Sequence, residues 1–574
     1  MDGPYDLVIR GGTVVDGSGE ERRTGDVAIK DGVIAAVGEV TGSGAEEISA
    51  AGLLVTPGFV DVHTHYDGQA TWAERMQPSS WHGVTTVVMG NCGVGFAPCR
   101  AEDRDCLIQL MEGVEDIPNP VLTEGLPWNW RSFPEFLDAL DGRSFDVDIG
   151  VQLGHAPVRV FVMGERGVNR EPATETDIAE MAQIAQEAMT AGALGFSTSR
   201  TINHKSADGE QVPTYEAAEK ELAGIAQGLK AADAGVLQLV CDFENPLGDF
   251  GMMQRLVESS SRPLSFSLLQ KWQAPKDCEI VLDALEAAGK QGMPIRGQVP
   301  CRPVGLLYSL EGTSNPFRGN SVYSEVADLR LAEKVAQLER PEFRARLLAE
   351  HRRTGAARMM FPWTMCFLLA DVNPDYEPTQ DLSVAAVAQQ RDADPAEVAL
   401  DHLLANGGRG LIYVPIFNYA EGNLDVTRRM MASPYTIPGL SDGGAHMGII
   451  CDGSFPTTLL THWTRDRSRG PRFTIEQVVR MQTHATAEAL GLNDRGLIRP
   501  GLRADLNLID IEKLKVHAPE FTYDLPAGGR RLVQRAEGYR YTIVAGQVTY
   551  RDGEPTGALP GRLVRGARTA PAAA

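Results

Sequence analysis

The feature that most constrains the fold is an alternation of short apolar segments with helical segments through the middle of the chain. Stretches such as VTTVVMGNCG, VDIGVQLGHA, GVLQLVCDFE and YTIPGLSDGG are typical of strands that run into loops. Residues 173–192 and 215–233 carry apolar side chains at helical spacing and end near Gly or Asp. This alternation favours an α/β barrel, in which functional residues lie at the carboxyl ends of the strands.

The two ends of the chain have a different pattern, with alternating strands and glycine turns in YDLVIRGGTVVDG and YRYTIVAGQVTYRDGEP. Residues 1–55 and 497–560 are therefore predicted to form one small β unit, and residues 56–496 the barrel. Long charged helical pieces near 309–378 interrupt the barrel pattern and predict an insertion on one barrel loop. Residues 561–574 are predicted to be a disordered tail.

The composition is that of an ordinary globular protein, with 43% hydrophobic and 23% charged residues. The formal net charge of −22 argues against a nucleic-acid partner. The N-terminus lacks the pattern of a signal peptide, and no apolar run reaches the ~18 residues expected of a membrane span. The eight cysteines show no paired spacing and are expected to be reduced thiols. These features predict a cytoplasmic protein with a small-molecule substrate and no membrane partner.

Two histidines one residue apart, His63 and His65, end the apolar run VTPGFVDVHTH. On an extended strand both side chains point to the same face, which here would be the mouth of the barrel. Because neutral imidazole is a good ligand for Zn²⁺, the pair predicts a metal site. The alternative is that one or both histidines only form hydrogen bonds at a strand end.

Three further residues follow strands in the same way. Cys92, in TTVVMGNCGVG, is either a thiolate ligand or a buried inert thiol. Asp442, which opens SDGGAH, could bind a metal and take a proton from an attacking water, or could form a turn ahead of Gly-Gly. His446 could contact substrate or metal, although histidines in loops are more often surface residues.

Together, the segments PGFVDVHTH, HGVTTVVMGNCG, GALGFSTS and SDGGAH resemble motifs of the amidohydrolase superfamily, and within it the N-acyl-D-amino-acid deacylase (D-aminoacylase) branch. The resemblance covers residues 5–310 and 395–550. It implies a (β/α)8 TIM-like barrel with a small β-sandwich formed from both chain ends. Homo-oligomerisation is possible on the same basis.

The resemblance also implies a metal centre with a divergent ligand set. Its ligands would be His63, His65, Cys92 and Asp442. Two further histidines of the branch fall on Val240 and Leu268 in this sequence. Their absence favours one ion, Zn²⁺ or another divalent metal, over a binuclear centre.

Three other side chains are candidates for the site. Asp242 lies two residues after Val240 and therefore on the same strand face, which makes it a possible replacement ligand or a neighbour of the ligands. Arg200, after GALGFSTS, could pair with a substrate carboxylate or remain a solvated loop residue. His155, in QLGHAPVR, matches a position of the branch and could contact substrate or be structural.

These residues predict a metal-dependent hydrolase of a non-peptide C–N bond, such as the amide of an N-acyl amino acid, with Asp442 as the general base. A cyclic-amide hydrolase or a deaminase on the same scaffold is an alternative. A second class of function is a catalytically silent scaffold protein, which the two missing histidines motivate. A third possibility is metal-free chemistry with Asp442 and a histidine as an acid–base pair.

Overall fold

Eight parallel strands form the central sheet of the protein, which is described here by a computed structural model covering residues 4–355 and 359–571. In chain order these barrel strands are Phe59–Asp61, Val84–Met89, Asp148–Gly154, Gly195–Arg200, Val236–Cys241, Leu264–Ser267, Ile295–Val299 and Thr436–Pro438. Each strand pairs in parallel with the next one along the chain. The sheet therefore has the strand order of a (β/α)8 barrel.

The first and eighth barrel strands meet just beyond their carboxyl ends. Thr64 and Gly443 form a parallel bridge there. The amide of His65 donates to the carbonyl of Gly443 at 2.8 Å, and the amide of Asp442 donates to the carbonyl of His63 at 3.2 Å. We call this junction the barrel seam, and it closes the sheet into the predicted barrel.

Helices connect and cover the barrel strands. They are Gln69–Trp72, Arg104–Glu115, Asn119–Gly125, Phe133–Asp141, His155–Met163, Glu165–Val168, Glu175–Ala191, Glu219–Ala232, Pro246–Ser260, Asp277–Lys290, Asp425–Ala432, Phe455–Thr461, Ile475–Gln482 and His484–Ala489. The predicted helix over 173–192 is observed as Glu175–Ala191. It begins at a capping box between Thr174 and Asp177 and ends at Gly192, whose φ of 111° favours glycine.

Both chain ends contribute to one nine-stranded sheet. Its strands are Tyr5–Val14, Arg23–Lys30, Val33–Gly38, Gly44–Ser49, Leu54–Pro57, Leu506–Ile509, Tyr539–Val544, Gln547–Arg551 and Glu554–Pro555. The N-terminal and C-terminal parts join where Leu54–Pro57 pairs antiparallel with Leu506–Ile509. The sheet has its own hydrophobic core, which includes Ile9, Ile29 and Leu508. Two short hairpins accompany it, pairing Lys515–Val516 with Ala536–Glu537 and Glu520–Thr522 with Arg531–Val533.

A separate unit, residues 304–417, is inserted between the seventh and eighth barrel strands. Its antiparallel sheet contains Gly305–Tyr308, Phe367–Leu369 and Leu411–Pro415, and its helices are Ser321–Ser324, Leu331–Leu338, Pro341–Glu350, Val384–Arg391 and Pro395–Gly408. A hydrophobic core of its own fills this inserted unit. The predicted insertion near 309–378 lies inside these limits, and the unit extends further because Leu411–Pro415 is the central strand of its sheet.

The end of the chain corrects one prediction. Leu563 and Val564 are buried, and Leu563 bridges to Ile149 of the third barrel strand. Gly561 bridges to Phe145 in the same region. The start of the predicted tail, residues 561–564, is therefore packed against the barrel because its apolar side chains find a partner there, whereas residues 567–571 are exposed. Residues 572–574 lie outside the described residues.

A buried ion-pair cluster ties the inserted unit to the barrel. The carboxylate of Glu377 accepts from the guanidinium of Arg467 at 3.1 and 3.2 Å, from His462 at 3.0 Å and from the amide of Leu424 at 3.0 Å. Burial raises the pKa of Glu377, but these donors outweigh it and lower the pKa to about 2. Arg467 has one other carboxylate partner among the described residues, the exposed Asp425.

Replacing Glu377 with Gln should therefore destabilise the protein by about 3 kcal/mol, since it leaves the buried Arg467 without its buried counter-charge. Because the folded pKa lies below the ordinary value of 4.5, this contribution is present above pH 4.5 and is lost as pH falls toward about 2. Denaturant unfolding of the wild type and the variant at neutral and acidic pH measures both effects. Asp381→Asn, at an exposed position of the same unit, is the control and should change nothing.

Candidate active site

Four of the residues that the sequence singled out converge near the barrel seam. His63 and His65 directly follow the first barrel strand, and Asp442 follows the eighth. Cys92 follows the second barrel strand, in a turn closed by the amide of Val94, which donates to the carbonyl of Asn91 at 3.3 Å. Cys92 and Asp442 adopt left-handed backbone conformations, with φ of 58° and 48°. Such conformations are uncommon outside glycine and cluster at functional sites.

Four side-chain atoms from these residues face one another. The Nε2 atom of His63 lies 3.2 Å from the Sγ atom of Cys92 and 3.5 Å from Oδ1 of Asp442. The Nε2 atom of His65 lies 3.7 Å from the same Oδ1 atom. One ligand atom each of His63, His65 and Cys92 lies within 4.8 Å of the other two. Two imidazoles, a thiol and a carboxylate thus converge from three strand ends.

Polar side chains behind the histidines fix their orientation. Nδ1 of His63 lies 2.7 Å from the amide oxygen of Gln298 on the seventh barrel strand. Because an amide oxygen only accepts, Nδ1 carries the proton and the Nε2 lone pair of His63 points toward Cys92 and Asp442. Nδ1 of His65 lies 3.3 Å from the carboxylate of Glu115. A carboxylate behind a histidine is the arrangement that orients metal ligands in many sites.

Glu115 is a site residue that the sequence reasoning missed. It ends the helix Arg104–Glu115, and its side chain is 1% exposed. It faces His446 as well as His65, with Oε2 3.7 Å from Nε2 of His446, and its backbone carbonyl accepts from the amide of His446. The signal was present in the sequence: Ile108, Met111 and Glu115 share the buried helix face, where a charged side chain needs a partner.

The cluster also contains buried polar atoms that no protein group satisfies. Among the described residues, Nδ1 of His65, both carboxyl oxygens of Glu115 and Oδ1 of Asp442 make no contact with full hydrogen-bond geometry, although Nδ1 of His65 and Oε1 of Glu115 face each other at 3.3 Å. Leaving a buried polar atom unpaired costs about 1–3 kcal/mol, so four at one place require an explanation. A cation bound at this place would be the missing partner of Oδ1 of Asp442. Two imidazoles, a thiolate and a carboxylate form a donor set that fits Zn²⁺.

The protonation states of His63, His65 and Asp442 agree with this fit, whereas burial raises the pKa of the Cys92 thiol, which a bound ion would hold as the thiolate. Burial lowers the pKa of His63 and of His65, so both rings are neutral and able to act as ligands. Burial raises the pKa of Asp442, but the hydrogen bond from His446 and the charges of the neighbouring histidines outweigh it and hold the pKa of Asp442 below its ordinary value. Burial lowers the pKa of His446, but Asp442 and Glu115 outweigh it and raise the pKa to about 9.

A cavity of about 210 Å³ opens over these residues. Its wall includes His65, Cys92, Asp442 and His446, so the predicted site lies at its base. The inserted unit supplies another part of the wall. The volume is below the 300–1,000 Å³ usual for sites of drug-sized ligands, which indicates a small substrate.

His204 is a second residue that was not singled out. It lines the cavity, and its Nδ1 atom lies 2.8 Å from the hydroxyl of Ser199 on the fourth barrel strand. Burial lowers the pKa of His204 to about 4, so the ring is neutral. Its sequence signal is weak because it lies in a polar loop, RTINHKSADGEQ, without apolar neighbours that would indicate burial.

Two predicted substrate contacts lie away from the cavity. His155 is fully buried, and its ring nitrogens are bonded to Thr198 at 2.9 Å and Glu221 at 2.9 Å. This geometry gives His155 a structural role in place of the predicted contact. Arg200 donates to the backbone carbonyl of Ala217 and does not line the cavity.

Asp242 lines the cavity but faces away from the four converging atoms. Its carboxylate accepts from the hydroxyl of Thr201 at 2.6 Å and from the amide of Ile202 at 2.7 Å. These two donors satisfy the side chain, so the structure corrects the prediction that Asp242 replaces a ligand. Val240 and Leu268, at the positions of the missing histidines, form part of the cavity wall.

Within the described parts of the chain, no helix combines the length and the apolar character needed to cross a bilayer.

Comparison with known proteins relates this site to a family. Solved structures of a D-aminoacylase and of the N-acyl-D-glutamate deacylase of Bordetella bronchiseptica share the fold, with TM-scores of 0.65 and 0.64 at 24% and 22% identity. Both alignments cover 98% of this chain, and they cover 100% and 99% of those proteins, respectively.

Sequence relatives of similar length exist as well. An uncharacterised protein of Mycobacterium tuberculosis is 29% identical over 96% of this chain and 92% of its own length. The N-acyl-D-aspartate deacylase of Alcaligenes xylosoxydans xylosoxydans is 27% identical over 97% of this chain and 95% of its own length. The profile of the amidohydrolase family matches residues 46–550. The relatives named as N-acyl-D-amino-acid deacylases hydrolyse carbon–nitrogen bonds other than peptide bonds. The chain therefore belongs to the amidohydrolase family.

Proposed function

We propose that this protein hydrolyses the amide bond of a small N-acyl compound, the class that contains the N-acyl amino acids, with one Zn²⁺ ion or another divalent ion. His63, His65, Cys92 and Asp442 would hold the ion. The observation that carries the proposal is their convergence beside buried polar atoms that lack protein partners. Relatives named as N-acyl-D-aspartate deacylase and D-aminoacylase support the amide substrate.

The bound ion would polarise the amide carbonyl and lower the pKa of a water molecule toward ~7. We assign the proton of the attacking water to Asp442, because its carboxylate is ionised and borders the cavity beside the other proposed ligands. The same carboxyl then returns the proton to the leaving nitrogen. His446, 3.7 Å from Oδ2 of Asp442, holds the other end of the carboxylate in place.

One ion is proposed because two positions of the relatives' ligand set are apolar here. Val240 and Leu268 offer no donor atom, and Asp242 is engaged by Thr201 and Ile202. The remaining donor set is sufficient for a single tetrahedral ion, or for three protein ligands with one position open for the reaction.

Glu115→Gln should weaken metal binding by about 10–100-fold, the usual effect of removing a group that orients a ligand. The amide keeps the shape of the side chain but no longer offers His65 a carboxylate. Metal affinity is measured by competition with a chromophoric chelator. Glu112→Gln, three residues earlier on the same helix and partly exposed, is the matched control and should bind metal like the wild type.

The proposed function is tested by purifying the protein without added metal, measuring its metal content and assaying release of acetate from N-acetylated amines and amino acids. We expect about one equivalent of metal per chain and hydrolysis that stops on chelation and returns with Zn²⁺. A protein that holds no metal after reconstitution would instead be a catalytically silent scaffold. Hydrolysis that survives chelation would favour the metal-free acid–base pair. Turnover confined to cyclic amides would indicate a cyclic-amide hydrolase, and turnover confined to amidines a deaminase.

A further inference from the structure

We infer that the substrate of this site is an uncharged amide with an apolar substituent, and that an amide bearing a free carboxylate is a poor substrate. The inference rests on the proposed amide hydrolysis and specifies its substrate class. It is carried by three properties of the cavity: its apolar wall, its excess of carboxyl groups and the environment of its one lysine.

The wall of the cavity is mainly apolar and comes from two parts of the fold. Val240 and Leu268 belong to the core of the barrel, whereas Val304, Ile416 and Phe417 belong to the inserted unit or pack against its core. Together they enclose a substituent from two sides. Burial of each CH2 group against such a wall favours binding by about fourfold. An apolar substituent should therefore raise the affinity of the site for its substrate.

Carboxyl groups outnumber the lysine and arginine side chains of the same wall. The described lining residues include four acidic side chains, one lysine and no arginine. The acidic ones are Glu115, Asp242, Asp277 and Asp442. Recognition of a substrate carboxylate normally uses an arginine or lysine with free donors. Among the charged side chains, only Lys271 and the histidines could meet that need.

Lys271 has no donor left for a substrate. Its Nζ atom donates to the backbone carbonyl of Asp242 at 2.6 Å and to that of Phe243 at 3.4 Å, and it lies 3.1 Å from the carboxylate of Asp277. An ammonium group has three N–H donors, and these three partners occupy all of them. Asp277 also neutralises its charge. A carboxylate that entered the cavity would therefore find no free lysine and would face several acidic groups.

The histidines do not change this conclusion. Nε2 of His446 is already shared between the carboxyl groups of Asp442 and Glu115, with an oxygen of each at 3.7 Å. Nδ1 of His204 is bonded to the hydroxyl of Ser199, and His65 is buried as a proposed metal ligand. The proposed ion would be engaged by the amide carbonyl and the attacking water. A substrate carboxylate would therefore lose its hydration without gaining a free lysine, arginine or histidine partner, which is unfavourable in a largely apolar cavity.

The inference is tested with a pair of substrates that differ only in the carboxylate. N-acetylleucine, in both enantiomers, is compared with N-acetylisoamylamine, which has the same apolar side chain and no carboxylate. With the metal-loaded wild type we expect kcat/KM for the neutral amide to exceed that for either acid by at least about tenfold. Released acetate is measured in each case.

Two variants make the test specific to Lys271. Asp277→Ala removes both the counter-charge and the acceptor and so frees one donor of the ammonium group. The ratio of kcat/KM for an N-acetylleucine enantiomer to that for N-acetylisoamylamine should therefore rise by about tenfold. Lys271→Met in the wild type should leave this ratio unchanged, and added to Asp277→Ala it should abolish the gain. Thermal unfolding of each variant verifies that the fold is intact.

The outcomes separate this inference from the proposed function. If N-acetylleucine is hydrolysed as well as the neutral amide or better, or if Lys271→Met lowers kcat/KM for the acid alone, the inference is wrong and amide hydrolysis stands. If the metal-loaded protein hydrolyses none of these amides, the proposed function fails and the inference fails with it.

Discussion

Asp442→Asn is expected to reduce kcat by about 10²–10⁴-fold, the contribution of a positioned general base, while the protein remains folded. The side chain lines the cavity with 13% of its surface exposed, and Asn has the same shape without the ability to accept the proton. The measurement is kcat on a neutral N-acetyl amine at saturating Zn²⁺, with the metal content determined on the same sample.

Because Asp442 is also proposed as a ligand, the metal content decides how a loss of activity is interpreted. Loss of turnover with metal still bound assigns the proton transfer to Asp442, whereas near-normal turnover with metal bound contradicts that role. Asp277→Asn is the matched control, since Asp277 lines the same cavity but lies away from the converging ligands. It should retain full activity on the neutral amide.

Cys92→Ala should lower metal affinity by more than about 100-fold, because even groups that only orient ligands contribute 10–100-fold. The Sγ atom of Cys92 is one of the three clustered ligand atoms and lies 3.2 Å from His63. Competition with a chelator measures the affinity, and elemental analysis measures the residual occupancy.

Cys99→Ala is the control for Cys92→Ala. Cys99 is a buried cysteine seven residues further along the chain, and its thiol donates to a backbone carbonyl, that of Arg100. We expect this variant to bind one equivalent of metal with unchanged affinity. Equal affinity in both variants would show that Cys92 is a buried inert thiol and not a ligand.

The barrel strands were predictable because each is a short apolar run that ends in glycine or polar residues. VTTVVMGNCG contains the observed strand Val84–Met89, and YTIPGLSDGG contains Thr436–Pro438. The strand–helix alternation favoured a barrel, and the strand-rich ends favoured one β unit. The family resemblance then implied eight strands and a β-sandwich, since local patterns do not encode which strands become neighbours. The limits of the inserted unit were harder to predict, because its central strand, Leu411–Pro415, has the same apolar character as a barrel strand.

The candidate site was predictable only where side chains follow strands directly. His63, His65, Cys92 and Asp442 lie at strand ends, and the structure brings them together. Glu115 lies at the end of a helix, and its approach to His65 depends on how that helix packs, which spacing along the chain does not specify. Asp242 directly follows its strand and lines the cavity, but its nearby donors, Thr201 and Ile202, could not be foreseen.

The barrel seam has a consequence for how the protein assembles and comes apart. The two histidines follow the first barrel strand and Asp442 follows the eighth, so most of the chain separates them. They meet only after the intervening strands have paired, which places the contact late in folding and gives it a large cost in chain entropy. An ion bound across this junction would hold the first and eighth barrel strands together. Loss of the ion should let the first and eighth strands separate before the rest of the barrel unfolds. The closed barrel and the catalytic activity would then be gained and lost together.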